Sequence, residues 1–199
     1  MNNAFLETIK ARRSIYAINS VLPISEDQVT HIITEAVKLS PSAFNSQSSR
    51  VVILLGEQHK KLWDITGQQL KKIVPADAFD ATKQKLASFA AGAGTILFYE
   101  DCQVVKDLQE KFALYADNFP VWSEHSTGIA QFSVWSALAQ ANIGASLQHY
   151  NPLIDDDVKN EWGLPDSWKL RSQMPFGSIV QPAGEKTFMP DEQRFRVFK

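Results

Sequence analysis

Two short runs limit what this chain can fold into more than any other feature. Residues 51–55 read ValValIleLeuLeu and residues 95–99 read ThrIleLeuPheTyr. Each is too short for a buried helix, and neither alternates as a strand with one wet face would. Both are predicted as buried strands. Gly56 stops the first. Strands of this kind need apolar cover, so the rest of the chain must supply helices to pack on them.

The helices are legible by their apolar spacing. One is predicted over residues 4–12. Ser25 opens the next, with Gln28 three positions on, the pattern of a capping box. Val29, Ile32, Ile33, Ala36 and Val37 follow as one stripe, and Ser40-Pro41 ends the helix. Further helices are predicted over 59–74, 77–91 and 103–117. The longest is predicted over 123–142, with Ile129, Phe132, Trp135, Ala139 and Asn142 in its stripe and Gly144 as the residue that terminates it. Residues 155–162 form a short helix whose first three residues, Asp155, Asp156 and Asp157, suit the positive end of the helix dipole; Gly163 closes it. Additional strands are expected at 145–149, at 169–180 with a break near Pro175, and at 193–198, where GlnArgPheArgValPhe alternates. With 199 residues and no linker, the chain is expected to be one α+β domain, a small sheet covered by helices.

Several function classes lack a foundation. Twenty basic against 22 acidic residues give a net charge of −2, without the basic excess of a general nucleic-acid binder. The lone Cys102 is expected to be a small buried apolar residue. His31, His59, His125 and His149 form no zinc-binding pair. There is no phosphate-binding P-loop and no GxSxG elbow. Gly92-Ala-Gly94 follows a helix and precedes a strand, the reverse of a dinucleotide-binding turn. No apolar run is long enough for a membrane span and the N-terminus has no signal-like core, so a cytoplasmic location is expected.

Two basic clusters stand at opposite ends of the chain. Arg12, Arg13 and Ser14 close the first helix; Arg194 and Arg196 lie two apart in the expected last strand, which would put them on one face with Phe195 and Val197 on the other. Guanidinium pairs can hold a phosphate dianion by charge-assisted bonds, and a serine adds a neutral donor. A third element, the polar loop 41–49, offers uncharged donors and acceptors of the kind the edge of a flavin ring requires; an ordinary capped turn is the alternative.

The chain resembles the nitroreductase superfamily, in particular its compact oxidoreductase-like, fatty-acid-repression-mutant branch. The likeness lies in ArgArgSerIleTyr at 12–16, SerProSerAlaPheAsnSerGlnSer at 40–48, LysLeuTrp at 61–63, HisSerThrGlyIleAlaGln at 125–131, AlaSerLeuGlnHisTyrAsnPro at 145–152 and ProPheGlySerIle at 175–179. It covers nearly the whole chain, and the first two motifs are the specific ones. The resemblance implies a nitroreductase-like fold in an intertwined homodimer, with a mostly antiparallel sheet. It also implies bound FMN at the subunit interface. Arg12, Arg13 and Ser14, with Tyr16 nearby, would take the FMN phosphate and ribityl chain. Ser42, Asn45 and Gln47 would cover the flavin from the second subunit. Gln68 would reach the flavin edge, Gln148 and His149 the ring near N5, and Arg194 and Arg196 the phosphate. Many relatives carry Glu-Gly where this chain has Gln148-His149, and the longer insertions of larger relatives are absent.

The activity so implied is ping-pong hydride transfer from NAD(P)H through FMN to nitroaromatics, quinones or similar electron-poor acceptors. No side chain is required as nucleophile or base, because the cofactor carries the chemistry. Phe44, Phe79, Phe119 and Trp122 are candidate walls of the stacking slot. Other outcomes of the same scaffold are a flavin-binding regulatory or stress-response protein with little turnover, and a flavin enzyme that dehalogenates or cleaves flavin. The 123–142 helix could serve as an interface element or as the core helix of one subunit.

Overall fold

The computed structural model describes residues 3–199. Helix α1 (Ala4–Ala11) is capped by the Asn3 side chain, which accepts from the Phe5 and Leu6 amides. A short β1 (Ile18–Asn19) follows, then α2 (Glu26–Lys38), whose Ser25–Gln28 capping box is formed in both directions. Next come β2 (Ser49–Leu55), α3 (Gly56–Lys71), α4 (Phe79–Ala90), β3 (Gly94–Asp101) and α5 (Cys102–Lys111). The remainder is α6 (Phe119–Gln140), β4 (Ile143–Ala145), α7 (Asp155–Trp162), β5 (Trp168–Ile179) and α8 (Asp191–Arg194).

The five strands make one antiparallel sheet in the order β1-β5-β3-β2, with β4 also along β5. The 51–55 and 95–99 runs pair with each other, Val51 opposite Phe98 and Ile53 opposite Ile96. Alternate residues of β3 enter different cores. Ile96 and Phe98 pack with Val29 and Ile33 of α2 and Val134 and Leu138 of α6. Leu97 and Tyr99 pack with Leu62 and Trp63 of α3, Leu86 and Phe89 of α4, and Val158 of α7. Helices therefore cover both faces, which is why β3 lacks a polar alternation.

The structure corrects several boundaries. The segment 103–117 is α5 followed by a separate 3₁₀ stretch, Ala113–Asn118. The long helix starts at Phe119 and stops at Gln140; Asn142, expected within its stripe, has left-handed backbone (φ 58°) and ends it. Gly144 instead lies in β4, where an added Cβ would come within 2.9 Å of both Ile15 and Ile179. The expected 145–149 strand is displaced: β4 ends at Ala145, and only Gln148 pairs again, with Gln173. Strand β5 runs through Pro175 without a break, and its irregularity falls opposite Phe98/Tyr99. Cys102 is half-buried and free. Residues 193–198 form no strand: α8 ends at Arg194 and the tail beyond it is exposed, so Arg194 and Arg196 share no strand face. The alternation there has no neighbouring strand to pair with among the described residues.

Candidate functional site

The Arg12–Tyr16 segment is fixed by the backbone. After α1, Ser14 forms a parallel bridge with Ala145. The Ala145 carbonyl accepts from the Ile15 amide (2.9 Å) and from Trp135 Nε1 (3.1 Å), tying the segment to β4 and α6 together. The Arg12 guanidinium then lies over the Trp135 ring, 4.3 Å from its centroid. Burial, and next the neighbouring Arg13 charge, lower the Arg12 pKa from its ordinary value, though a guanidinium stays cationic at neutral pH. Arg12 Nε is buried without a hydrogen-bond partner among the described residues. Arg13 donates to the Gly184 carbonyl at 2.7 Å, bringing the 181–186 segment across. Between the two segments lies a groove of about 530 Å³ lined by Arg12, Arg13, Ser14, Tyr16 and residues 181–186.

The polar loop is held in an uncommon shape. Phe44 (φ 57°), Asn45 (φ 50°) and Gln47 (φ 48°) are left-handed without being glycine, a conformation costing about 1–2 kcal/mol per residue. Three features hold it. The Gln47 amide donates to Ser42 Oγ at 2.9 Å. The Arg50 guanidinium donates to the Gln47 carbonyl and, at 3.1 Å, to Asp101. The Phe44 ring packs among Phe112 (4.9 Å), Phe119 (5.2 Å) and Trp122 (6.0 Å, stacked). Three of the four candidate wall aromatics therefore meet; Phe79 lies apart in a groove with Trp63, Gln68 and Leu86.

The sequence-predicted residues thus fall into separate places within one chain. Arg12, Arg13, Ser14 and Tyr16 share the first groove. Ser42 and Gln47 line a smaller cavity with Ser49, Arg50 and Ser126, and Asn45 stands exposed on the same loop. Gln148 is buried, its amide donating to Ser146 Oγ at 3.1 Å, and His149 beside it is exposed. Both follow closely on Ala145, the bridge partner of Ser14. Gln68 lines the α3–α4 groove beside Phe79, with none of the other cofactor-binding candidates. Arg194 and Arg196 lie on the exposed tail, where Arg196 bonds only to the carbonyls of Glu192 and Phe195 among the described residues.

Sequence reasoning missed Trp135 as the platform under Arg12, because its place in a helical stripe reads as core. It also missed the 181–186 segment, which carries no motif. Ser49 and Glu100 were likewise hidden, since their pairing depends on the β2–β3 register, Ser49 opposite Glu100.

A sheet of this topology, flanked by helices and carrying a basic groove beside a neutral polar loop, defines a class, and comparison with known proteins specifies it. Residues 9–178 match the model of the nitroreductase family. The chain is 35% identical over 190 residues to putative nitroreductase HBN1 of Saccharomyces cerevisiae, covering 94% of each. It is 32% identical to nitroreductase FRM2 of the same yeast over 93% of each chain. Among solved structures, nitroreductase CinD from Lactococcus lactis in complex with nicotinic acid superposes with a TM-score of 0.92 at 55% identity, over 98% of this chain and 100% of that one. The chain belongs to the nitroreductase family and is a nitroreductase-type oxidoreductase of the fatty-acid-repression-mutant kind.

Proposed function

We propose that the protein is an FMN-dependent reductase that takes hydride from NAD(P)H and delivers electrons to nitroaromatics, quinones or similar electron-poor acceptors. It works as a homodimer with its flavin at the subunit interface, and in the cytoplasm, alongside its reductant. The observation that carries the reading is the Arg12–Tyr16 groove. A half-buried guanidinium whose Nε–H is buried and has no partner among the described residues, a second guanidinium and the Ser14 hydroxyl form a donor set suited to a phosphate monoester. Trp135 and the Ala145 carbonyl hold that set in place before any ligand arrives. The groove volume of about 530 Å³ lies within the usual range for a small-molecule site.

The relatives support the same chemistry. CinD has been solved with 4-nitrophenol and with chloramphenicol, at 54% and 53% identity to this chain. A putative nitroreductase from Desulfovibrio desulfuricans, solved in complex with FMN, shares the fold at 17% identity and a TM-score of 0.74. FMN, when bound, would supply the hydride acceptor and donor. The chain's own residues bind and orient. Arg12, Arg13 and Ser14 take the phosphate, and Tyr16 flanks the groove. Ser42, Asn45 and Gln47, on a loop held rigid by Arg50 and the aromatic cluster, cover the ring of the flavin in the other subunit. Gln148 and His149 stand at the ring edge, Arg194 and Arg196 close on the phosphate when the tail is ordered, and Gln68 is assigned to the flavin edge by resemblance alone.

The test is direct. Purified protein should be yellow, release flavin on denaturation and bleach with anaerobic NADH or NADPH. A colourless protein that takes up no added FMN overturns the reading. Steady-state NAD(P)H oxidation with a quinone or nitroarene separates a reductase from a flavin-binding regulator. A monomer that binds FMN fully would overturn the shared site.

A further inference from the structure

Helices α3 and α4 leave between them a groove of about 470 Å³, large enough for a small molecule. It shares no lining residue with the Arg12–Tyr16 groove. Two contacts give the antiparallel register of the helices. Trp63 packs on Phe89 with ring centroids 4.9 Å apart, and a Cβ added at Gly67 would lie 3.4 Å from Leu86 Cδ1. Asp64, Gly67, Gln68 and Lys71 stand at i, i+3, i+4 and i+7 of α3 and form one wall. Gly67 makes the opening. Glycine inside a helix is less stable than alanine. A contact of 3.4 Å is an ordinary one, so the packing leaves room for a side chain at 67, and its absence keeps the groove open.

The polar groups on the walls sort by position. Trp63 spends its indole N–H on Thr95 Oγ1 at 3.1 Å and leaves the groove only its ring. Phe79 and Leu86 add apolar surface. Lys71 lies one turn beyond Gly67 and Lys83 one turn before Leu86, so the register sets the two lysines at the same end of the groove. Neither forms an ion pair or hydrogen bond among the described residues. Two like charges without a counterion leave that end suited to an anion. Asp64 lies at the other end, roughly 10 Å along α3 from Lys71, and it too is unpaired among the described residues. Gln68, midway, carries both a donor and an acceptor and sets neither end. The groove is therefore cationic at one end, apolar in the middle and anionic at the other.

We infer that this groove binds an arene carboxylate that carries an N–H or O–H donor opposite its carboxylate, as 4-aminobenzoate does. The carboxylate meets Lys71 and Lys83, the ring lies against Trp63 and Phe79, and the donor meets Asp64. One benzene ring with groups at opposite ends, hydrogen-bonded at both, fits the separation of Asp64 from Lys71. A nitro group in place of the donor would set acceptors against the Asp64 carboxylate. Asp64, Lys71 and Lys83 have no part in the flavin site proposed above, so the groove stands or falls apart from it.

Isothermal titration of the purified, oxidised protein without reductant tests it, with 4-aminobenzoate and benzoate as probes. 4-Aminobenzoate should bind about fivefold tighter than benzoate, which lacks the donor. Asp64→Ala should bring 4-aminobenzoate down to the benzoate level. Lys71→Gln combined with Lys83→Gln should weaken both probes about fivefold, and added salt should weaken both in the unaltered protein. Gly67→Leu fills the groove and should weaken both about tenfold or more. No 4-aminobenzoate binding by the unaltered protein, equal binding of the two probes, or binding unchanged in both the double-lysine variant and Gly67→Leu overturns the inference. The visible spectrum of the same sample reports flavin separately. A yellow protein that fails these titrations defeats the groove assignment alone, and a colourless protein that passes them defeats the flavin reading alone.

Discussion

The two arginine clusters that resemblance assigns to one phosphate live in opposite physical circumstances. Arg12 and Arg13 are half-buried, stacked on Trp135 or bonded to Gly184, on a segment bridged to the sheet through Ala145. Arg194 and Arg196 are exposed on a tail whose recorded bonds stay within a few residues. Phe195, Val197 and Phe198 beside them are 56%, 76% and 91% exposed. The first cluster is preorganised, so little ordering cost opposes ligand binding. The second is exposed within one chain, and in the proposed dimer the partner subunit with its flavin covers it. The same motif chemistry can therefore be frame at one end of a chain and exposed arm at the other.

Four measurements would break or sharpen this contrast. The largest effect should come from the frame itself. Phe98, fully buried between α2 and α6, should cost about 3–5 kcal/mol of stability when cut to alanine, read as a fall in denaturation midpoint at constant m-value. Next, Arg12→Ala should weaken FMN binding by about 1.5–3 kcal/mol, roughly 10- to 150-fold, by fluorescence titration. Arg196→Ala should weaken it by less, since ordering the tail offsets part of its gain. Equal losses would erase the distinction, and unchanged affinity in both variants would refute the phosphate assignment.

The third measurement is pH dependence. His59 is buried beneath β3, its Nδ1 2.8 Å from Thr95 Oγ1, and burial, the first cause, lowers its pKa below 6.5. The folded state therefore favours neutral imidazole. Below the unfolded pKa the unfolded chain binds a proton that the folded chain refuses, so stability rises with pH there. It is complete above about pH 6.5 and is lost as pH falls from that value towards the lowered folded one. Denaturant titrations across this range should show the slope, and His59→Gln should flatten it. The smallest effect belongs to the arm: Arg194→Ala with Arg196→Ala should leave the stability of the flavin-free chain within about 0.5 kcal/mol. A greater loss would mean the tail is anchored to the frame.

How much was legible in the sequence follows from how local each cause is. The Ser25–Gln28 box and the Gly163 terminus (φ 58°) formed as expected, because their hydrogen bonds and backbone preference lie within a few residues. The 95–99 run is the buried strand its composition predicts, whereas 51–55 forms an edge strand in which only Leu54 is buried and the rest are half-buried, because the sheet order leaves β2 a single neighbour. Asn142 rather than Gly144 ends the long helix, and Gly144 is needed instead in β4, where the space around a Cβ is set by Ile15 and Ile179, far away in the chain. The 193–198 alternation failed as a strand because a ladder needs a neighbour, and among the described residues none lies beside it.

By itself, the sequence determined that this chain would bury a small helix-covered sheet and carry the motifs of a nitroreductase, since periodicity, caps and short motifs act over a few residues. Only the tertiary structure decided that Trp135 would lie under Arg12, that Glu100 would turn the Ser49 hydroxyl, and that the two arginine clusters would differ in anchorage. Each of these depends on strand register and helix packing between distant segments, where free energy resides in contacts that no local window contains.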